Sequence, residues 1–233
     1  MKIDDMTFTF ALRNLLRQKG RTGMTLASII FGVIGLILSG GFVEDVFIQL
    51  REATIHSRLG HLQIYKEGFY AEGSKEPYAY LIEAPEQVEA KIANQPGVVD
   101  SMKRLNFFGL LNNTKTDLPI IGEGVEPAKE AKLGSFFFII EGRQLTDEDA
   151  YGVLLGEGVA KSLKLEVGSF VTVLANTPDG ALNSLEFEVV GVFRTFSKDF
   201  DARAVRVALP AAQELLSVSG VHAVVVSLAD TLQ

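Results

Sequence analysis

The chain has 233 residues, enough for one large domain or two small ones. It contains no cysteine, which excludes disulfides, thiolate metal sites and thiol nucleophiles. Its net charge of −7 is uneven: residues 1–21 carry Lys2, Arg13, Arg17, Lys19 and Arg21 against Asp4 and Asp5, a local +3 that leaves −10 for the body. An acidic body excludes nucleic acid as a partner, because neutralising phosphate needs a basic face.

In chain order, residues 7–19, "TFTFALRNLLRQK", place Phe8, Leu12, Leu15 and Leu16 on one helical face and Arg13, Arg17 and Lys19 elsewhere. That pattern predicts a basic amphipathic helix at a membrane interface. Thr22–Val43 follows without a charge. At 1.5 Å per residue it makes a helix of about 33 Å, enough for a hydrocarbon core of roughly 30 Å. A cleaved signal has a short basic region, an apolar core of about 7–15 residues and a small-x-small cleavage site. This segment has a long patterned leader and an overlong core, so it reads as a retained span over residues 22–43. Arg13, Arg17, Lys19 and Arg21 precede the span, and Glu44 and Asp45 follow it. The excess of positive charge predicts a cytoplasmic N-terminus and places residues 44–233 outside the cytoplasm. Within the span, Thr25, Ser28, Gly32, Gly35 and Ser39 recur at steps of three and four residues. They form one small-residue face, the surface on which membrane helices pack closely.

Beyond the span, "EDVFIQLREATIHSRLG" continues as helix and His61–Tyr65 alternates as a strand. Residues 66–80 read as loop. "APEQVEAKIANQPG" has a helical period ended by Pro96-Gly97. "VVDSMKRLNFFGLLNNT" and "DLPIIGEGV" read as strands joined by the turn Asn112–Asp117. Gly152–Leu165 reads as strand, turn and short helix. "SFVTVLANTPDGALNSLEFEVVGVFRT" is a hairpin turning at Thr177-Pro178-Asp179-Gly180. "LPAAQELLSVSG" is a helix opened by Pro210, and "VHAVVVSL" is a closing strand. The body is therefore α+β. It starts β-α-β-β and ends α-β, a split β-α-β (ferredoxin-like) unit with a β-rich insertion.

No constellation for catalysis emerges. His56, His61 and His222 are the three histidines, and a gap of five between the first two misses the one-turn spacing of a helical metal pair. They read as hydrogen-bonded or solvated. "GEGVAKS" (Gly156–Ser162) is similar to the end of a phosphate-binding loop, but Ala160 stands where the loop needs glycine before Lys161. Thr146-Asp147-Glu148-Asp149 reads as a capped helix start rather than a cation site. Phe107, Phe108 and Phe136–Phe138 sit in strand-like runs and read as core.

"FALRNLLRQKGRTGMTLASIIFGVIGLILSGGF" followed by "GHLQIY", then "EGR", "GVLLGEGVAKSLKLEVGSFVTV" and "FEVVGVF", resembles FtsX-like (MacB-like) ABC transporter permeases. The resemblance runs from about Phe8 to Leu228. It implies an N-terminal span and an extracytoplasmic porter domain, with porter parts at about 60–130 and 200–230 and an inserted subdomain at about 131–199. It also implies a non-catalytic subunit without a cofactor, held in membrane lipid at the bacterial inner membrane. A second permease chain, a cytoplasmic ABC ATPase and a periplasmic adaptor or lipoprotein are the implied partners. ATP work inside the cell would then drive movement outside it, for export or lipoprotein release. The family's three later spans have no counterpart before residue 233, so the resemblance implies the N-terminal part of such a permease. The other reading is a signal-anchored periplasmic domain that regulates an envelope enzyme without transport.

Overall fold

The computed structural model describes residues 10, 13, 17–55, 59–73, 75–133 and 137–229. The chain divides into two compact units, Met1–Arg51 and Glu52–Gln233. Helix α1, Lys19–Thr54, dominates the first. It has 36 residues, about 54 Å of helix at 1.5 Å each. The uncharged run Thr22–Val43 lies wholly within it. Its apolar side chains point outward on every side, with Met24, Phe31 and Leu36 about three-quarters exposed. None of its apolar window is buried, and by length and composition it can cross a membrane. Phe8, Leu12, Leu15 and Leu16 lie outside the described residues; Phe10, Arg13 and Arg17 from the same segment are helical and exposed.

The second unit is built on strands. They are β1 (Leu62–Tyr65), β2 (Val98–Asn112), β3 (Asp117–Val125), β4 (Phe138–Gly142), β5 (Gly152–Gly156), β6 (Phe170–Asn176), β7 (Leu182–Arg194), β8 (Ala204–Ala208) and β9 (Ala223–Leu228). The helices are α2 (Phe69–Glu72), α3 (Pro85–Ile92), α4 (Pro127–Leu133), α5 (Glu157–Leu163), α6 (Lys198–Asp201) and α7 (Leu209–Leu216), with a 3-10 turn at Pro77–Tyr80. The strands pair in the order β1-β9-β2-β3-β8-β5-β7-β4, and β6 bridges β2 and β7. Strand β9 lies between β1 and β2, antiparallel to both. With α3 joining β1 to β2, this is the split β-α-β arrangement expected from the sequence.

The bridge made by β6 closes a ring of six strands, β2-β3-β8-β5-β7-β6. Inward positions follow the period of two: Leu105, Phe107 and Leu111 from β2, Val171, Val173 and Ala175 from β6, and Val205 and Val207 from β8. Gly122 faces Phe107 across the ladder, where a Cβ would stand 2.0 Å from the ring. Only glycine leaves room for that ring in the barrel. Helix α7 closes one end, burying Leu209, Ala211, Ala212, Leu215 and Leu216; a Cβ on Gly124 would meet Ala212 at 2.4 Å. At the other end α5 inserts Val159, Ala160 and Leu163 into the same core, and Asn113 Nδ2 donates to Leu163 O at 2.9 Å. The hairpin turn forms as expected: Gly180 has φ +80, and its N–H donates to Thr177 O at 2.9 Å.

Four local expectations are corrected. Residues 66–80 carry α2 and the 3-10 turn rather than plain loop. Strands β4 and β8 and helix α4 were not anticipated, because "FIIEG", "AVRVA" and "PAKEAKL" are too short to show a period. Residues 146–151 make turns, not a capped helix. There the Asp149 carboxylate accepts from Thr146 N and Oγ1, both at 2.8 Å, and binds Arg143 with both oxygens. That carboxylate closes the loop on itself and draws the segment out of helix. Phe107 and Phe137 are buried as expected, but Phe108 and Phe138 are 71% and 54% exposed, because neighbours in a strand face opposite sides. Phe136 lies outside the described residues.

Candidate functional site: an exposed span and a charge-locked barrel

The span presents its polar groups in two ways. Arg17, Lys19 and Arg21 lie exposed at the start of the helix, with Arg13 helical and exposed before them. The hydroxyls are turned inward on the helix itself: Thr25 Oγ1 donates to Arg21 O at 3.1 Å and Ser28 Oγ to Met24 O at 2.9 Å. Both donors are thus satisfied without a partner helix, which lowers the cost of placing them in lipid. A Cβ at Gly32 or Gly35 would meet nothing within 4 Å. The helix thus carries a shallow, open strip where another backbone can approach.

In the second unit four charged side chains lie under the outer layer of the barrel. Glu123 and Arg206 are paired residues of the parallel strands β3 and β8, and Arg206 Nε donates to Glu123 Oε2 at 2.8 Å. Arg206 also reaches Glu130 of α4 at 2.8 Å. Arg104 of β2 donates to both oxygens of Glu130, at 3.0 and 2.8 Å. All four are at most 5% exposed. The Phe137 ring lies 4.3 Å from the Arg206 guanidinium carbon, a cation–π contact that seals the network. Burial works against the charge on Arg104, but the carboxylates of Glu130 and Glu123 outweigh it and its pKa is raised. Two positive and two negative groups balance. Each of the two carboxylates is held by a guanidinium. The network fixes α4 to three barrel strands.

A groove of about 640 Å³ runs beside α4, floored by Val125, Pro127, Leu209 and Pro210. Both of its lysines are paired within the protein: Lys103 reaches Glu86 at 2.8 Å, and Lys129 reaches Glu89 at 2.9 Å and Glu126 at 3.1 Å. Tyr151 Oη donates to Glu214 at 2.9 Å. The groove offers an apolar floor edged by charged side chains.

The remaining sequence candidates resolve structurally. His222 is buried, and its Nδ1 accepts from Asn106 N at 3.2 Å; His61 Nδ1 accepts from Leu228 N at 3.2 Å. His56 lies outside the described residues. The glycines of Gly156–Ser162 permit close packing: a Cβ on Gly156 would stand 2.3 Å from Asp201 O, and one on Gly158 2.5 Å from Ala202 Cα. Among the described residues no group of three His, Asp or Glu could hold a metal ion. Sequence reasoning missed Arg104, Glu123, Glu130 and Arg206. The signal for two of them, Glu123 and Arg206, was a lone charge inside an apolar strand run, "IIGEGV" and "AVRVAL"; Arg104 stands beside Lys103 in "MKRLNFF".

Residues 22–233 match the family model of the MacB-like periplasmic core domain. The lipoprotein-releasing system transmembrane protein LolC of Neisseria meningitidis is 26% identical over 205 residues, which is 77% of this chain and 44% of that protein. The chain thus spans less than half the length of that relative. Among solved structures, the periplasmic region of MacB from Actinobacillus actinomycetemcomitans superposes with TM-score 0.52 at 15% identity, covering 72% of this chain and 73% of that one. The extracellular domain of the noncanonic ABC-type transporter YknZ from Gram-positive bacteria gives 0.51 at 14%, covering 72% and 82%. These two likenesses show the fold of the sheet-rich domain that follows the apolar helix, which is of the MacB periplasmic type. The resemblance to FtsX-like and MacB-like ABC transporter permeases read from the sequence is borne out, and the chain belongs to the MacB-like periplasmic core domain family.

Proposed function

We propose that the chain is the N-terminal part of a permease subunit of an ABC transporter, coupling ATP hydrolysis in the cytoplasm to movement outside it, for export or lipoprotein release. One observation carries this reading: a single family match runs from inside the exposed apolar helix to the end of the closed barrel domain. The likeness to LolC supports the lipoprotein-release branch. In this reading the subunit is not a catalyst. Membrane lipid, a second permease chain, a cytoplasmic ATPase and a periplasmic adaptor or lipoprotein are its partners. The N-terminus lies inside, with Arg13, Arg17, Lys19 and Arg21 as the anchor. The porter parts at about 60–130 and 200–230 hold β1–β3, β8 and β9, and the insertion at about 131–199 holds β4–β7.

Two measurements test it. Alkaline phosphatase fused after Leu228 should be active in intact cells of a two-membrane bacterium, whereas the same enzyme fused before Phe10 should be silent. The opposite pattern overturns the orientation. Thr25, Ser28, Gly32, Gly35 and Ser39 are proposed as the packing face. Gly32→Leu or Gly35→Leu should cut disulfide crosslinking between this span and those of the full-length permease by about tenfold, the equivalent of 1.4 kcal/mol. Unchanged crosslinking removes the packing claim.

A further inference from the structure

At the barrel end where α5 inserts, three segments meet around a pocket of about 550 Å³: the β2–β3 turn, the end of α5 and the start of β6. Asn113 ties two of these walls together. Its Nδ2 donates to Leu163 O at 2.9 Å, and its Oδ1 accepts from Lys115 N at 3.1 Å and Thr116 N at 2.9 Å. Two of the three non-glycine residues with positive φ among the described residues stand here, Thr114 at 72 and Lys164 at 53. Lys164 is an ordinary left-handed helix end, but a β-branched threonine in that region is strained, and such strain gathers at binding sites. Asn112 Oδ1 holds the strained residue by accepting from Thr114 N at 2.6 Å.

The charged residues lining the pocket are Lys115 and Lys164, and no carboxylate lines it. Both lysines are exposed, and neither has an ion pair among the described residues. Asp117, two residues from Lys115, takes a hydrogen bond from Asn112 at 2.6 Å. Lys161, on the last turn of α5, is paired with Glu157 at 2.6 Å. The hydroxyls of Thr114, Thr116 and Ser162 find no protein partner among the described residues. A helix C-terminus is normally the wrong end for an anion. Here its carbonyls are closed off: Leu165 N donates to Ala160 O at 2.9 Å, Lys164 N to Lys161 O at 3.4 Å, and Asn113 takes Leu163 O. What faces the pocket is two cations and a set of hydroxyl donors.

We propose that this pocket binds a phosphorylated polyol, either free or as the headgroup of a lipid. Lysine ammonium groups serve phosphate as point charges on flexible stems. The hydroxyls of Thr114, Thr116 and Ser162 donate to the phosphate or exchange hydrogen bonds with the hydroxyls of the polyol. Phe170, 62% exposed, gives the carbon skeleton an apolar wall. The volume exceeds what a lone phosphate fills and falls in the range of small-molecule sites, about 300–1,000 Å³. Carboxylates stand on both flanks. Beyond Phe170 a smaller hollow holds Glu148, Glu186 and Glu188, and Lys164 also borders one with Glu141 and Glu166. These groups repel an extended polyanion or a sheet of anionic headgroups, so the pocket selects a single compact phosphate ester. The site needs neither an ATPase nor a second chain, and it stands or falls separately from the transport reading.

Isothermal titration calorimetry on the full chain in uncharged detergent micelles tests the site. Inositol monophosphate should bind and inositol should not. Lys115→Gln with Lys164→Gln should weaken that binding about tenfold or more. Lys115→Arg with Lys164→Arg should keep it, and Lys91→Gln on α3 should leave it unchanged. Phe170→Ala should weaken binding of the ester but not of inorganic phosphate. Micelles doped with phosphatidylinositol separate the two sources: displacement of the ester assigns the site to a lipid headgroup, and no displacement assigns it to a soluble ester. No binding of the ester, equal binding of inositol, or binding indifferent to the paired lysine change overturns the site. A loss as large in Lys91→Gln overturns it too, because the effect would then be one of overall charge. Inorganic phosphate binding as tightly as the ester overturns the polyol assignment.

Discussion

His222 shows how one residue ties fold to pH. Its ring is packed near Tyr78 and Phe69. Burial pushes its pKa down to about 4, while a hydrogen bond from the ring to the Pro77 carbonyl works the other way. The folded domain therefore holds the imidazole neutral, whereas the unfolded chain takes up a proton below about 6.5. Stability from this group is complete above pH 6.5 and is lost as pH falls towards 4, by roughly 3 kcal/mol at the bottom of the window. Urea midpoints measured from pH 7.5 to 4 should fall in the native chain, and that decline should be smaller in His222→Gln. Arg206 makes a second prediction at this scale. Arg206→Met takes the guanidinium from the buried Glu123, while Glu130 keeps Arg104, and should cost about 3–5 kcal/mol in urea unfolding. The paired change Arg206→Met with Glu123→Met should cost less, since it also removes the carboxylate that lost this partner.

Among the helices of the second unit, α7 buries the largest share of its residues. Pro210 at its start fixes the entry dihedral, and Ser217 in the left-handed region (φ 55) ends it. Asn183 Nδ2 donates to Leu215 O at 3.0 Å, satisfying one of the carbonyls the last turn leaves open. Leu215 is wholly buried in the barrel mouth. Leu215→Ala should lower stability by about 2–5 kcal/mol by urea titration, with far-UV circular dichroism at low denaturant unchanged. Helix α1 follows another logic, because its apolar residues find no protein to bury against within its own unit. Sequence alone made α1 legible: 22 uncharged residues in a row need no tertiary context to be read. Strands β4 and β8 were not legible, because five residues with no alternation acquire their identity only from the neighbours that pair with them.

For the whole molecule, the decisive feature is that β6 closes the ring. The seam is tight at Gly109, where a Cβ would stand 2.4 Å from Leu174 O. Gly109→Ala should force β2 and β6 apart and cost about 1–3 kcal/mol. Hydrogen exchange should report the loss first in the amides of β6, while those between β3 and β8 remain protected. In the closed barrel, segments far apart in sequence share hydrogen bonds. The site read from the sequence lay in the span and its basic flank; the buried network and the lysine-lined pocket were not in that reading. Each charge of the network is a single polar residue of its own strand or helix, and the paired groups stand 26 and 83 residues apart.

The sequence by itself determined the span, its basic flank, the absence of thiol chemistry and the alternation of helix and strand. These depend on runs and periods of neighbouring residues, which act locally through backbone geometry and hydropathy. Only the tertiary structure decided that the barrel closes, that Arg104 and Arg206 are buried beside Glu123 and Glu130, and that Phe108 faces outward while Phe107 fills the core. Those outcomes depend on which strands pair and in what register, and a shift of one residue would exchange the two faces.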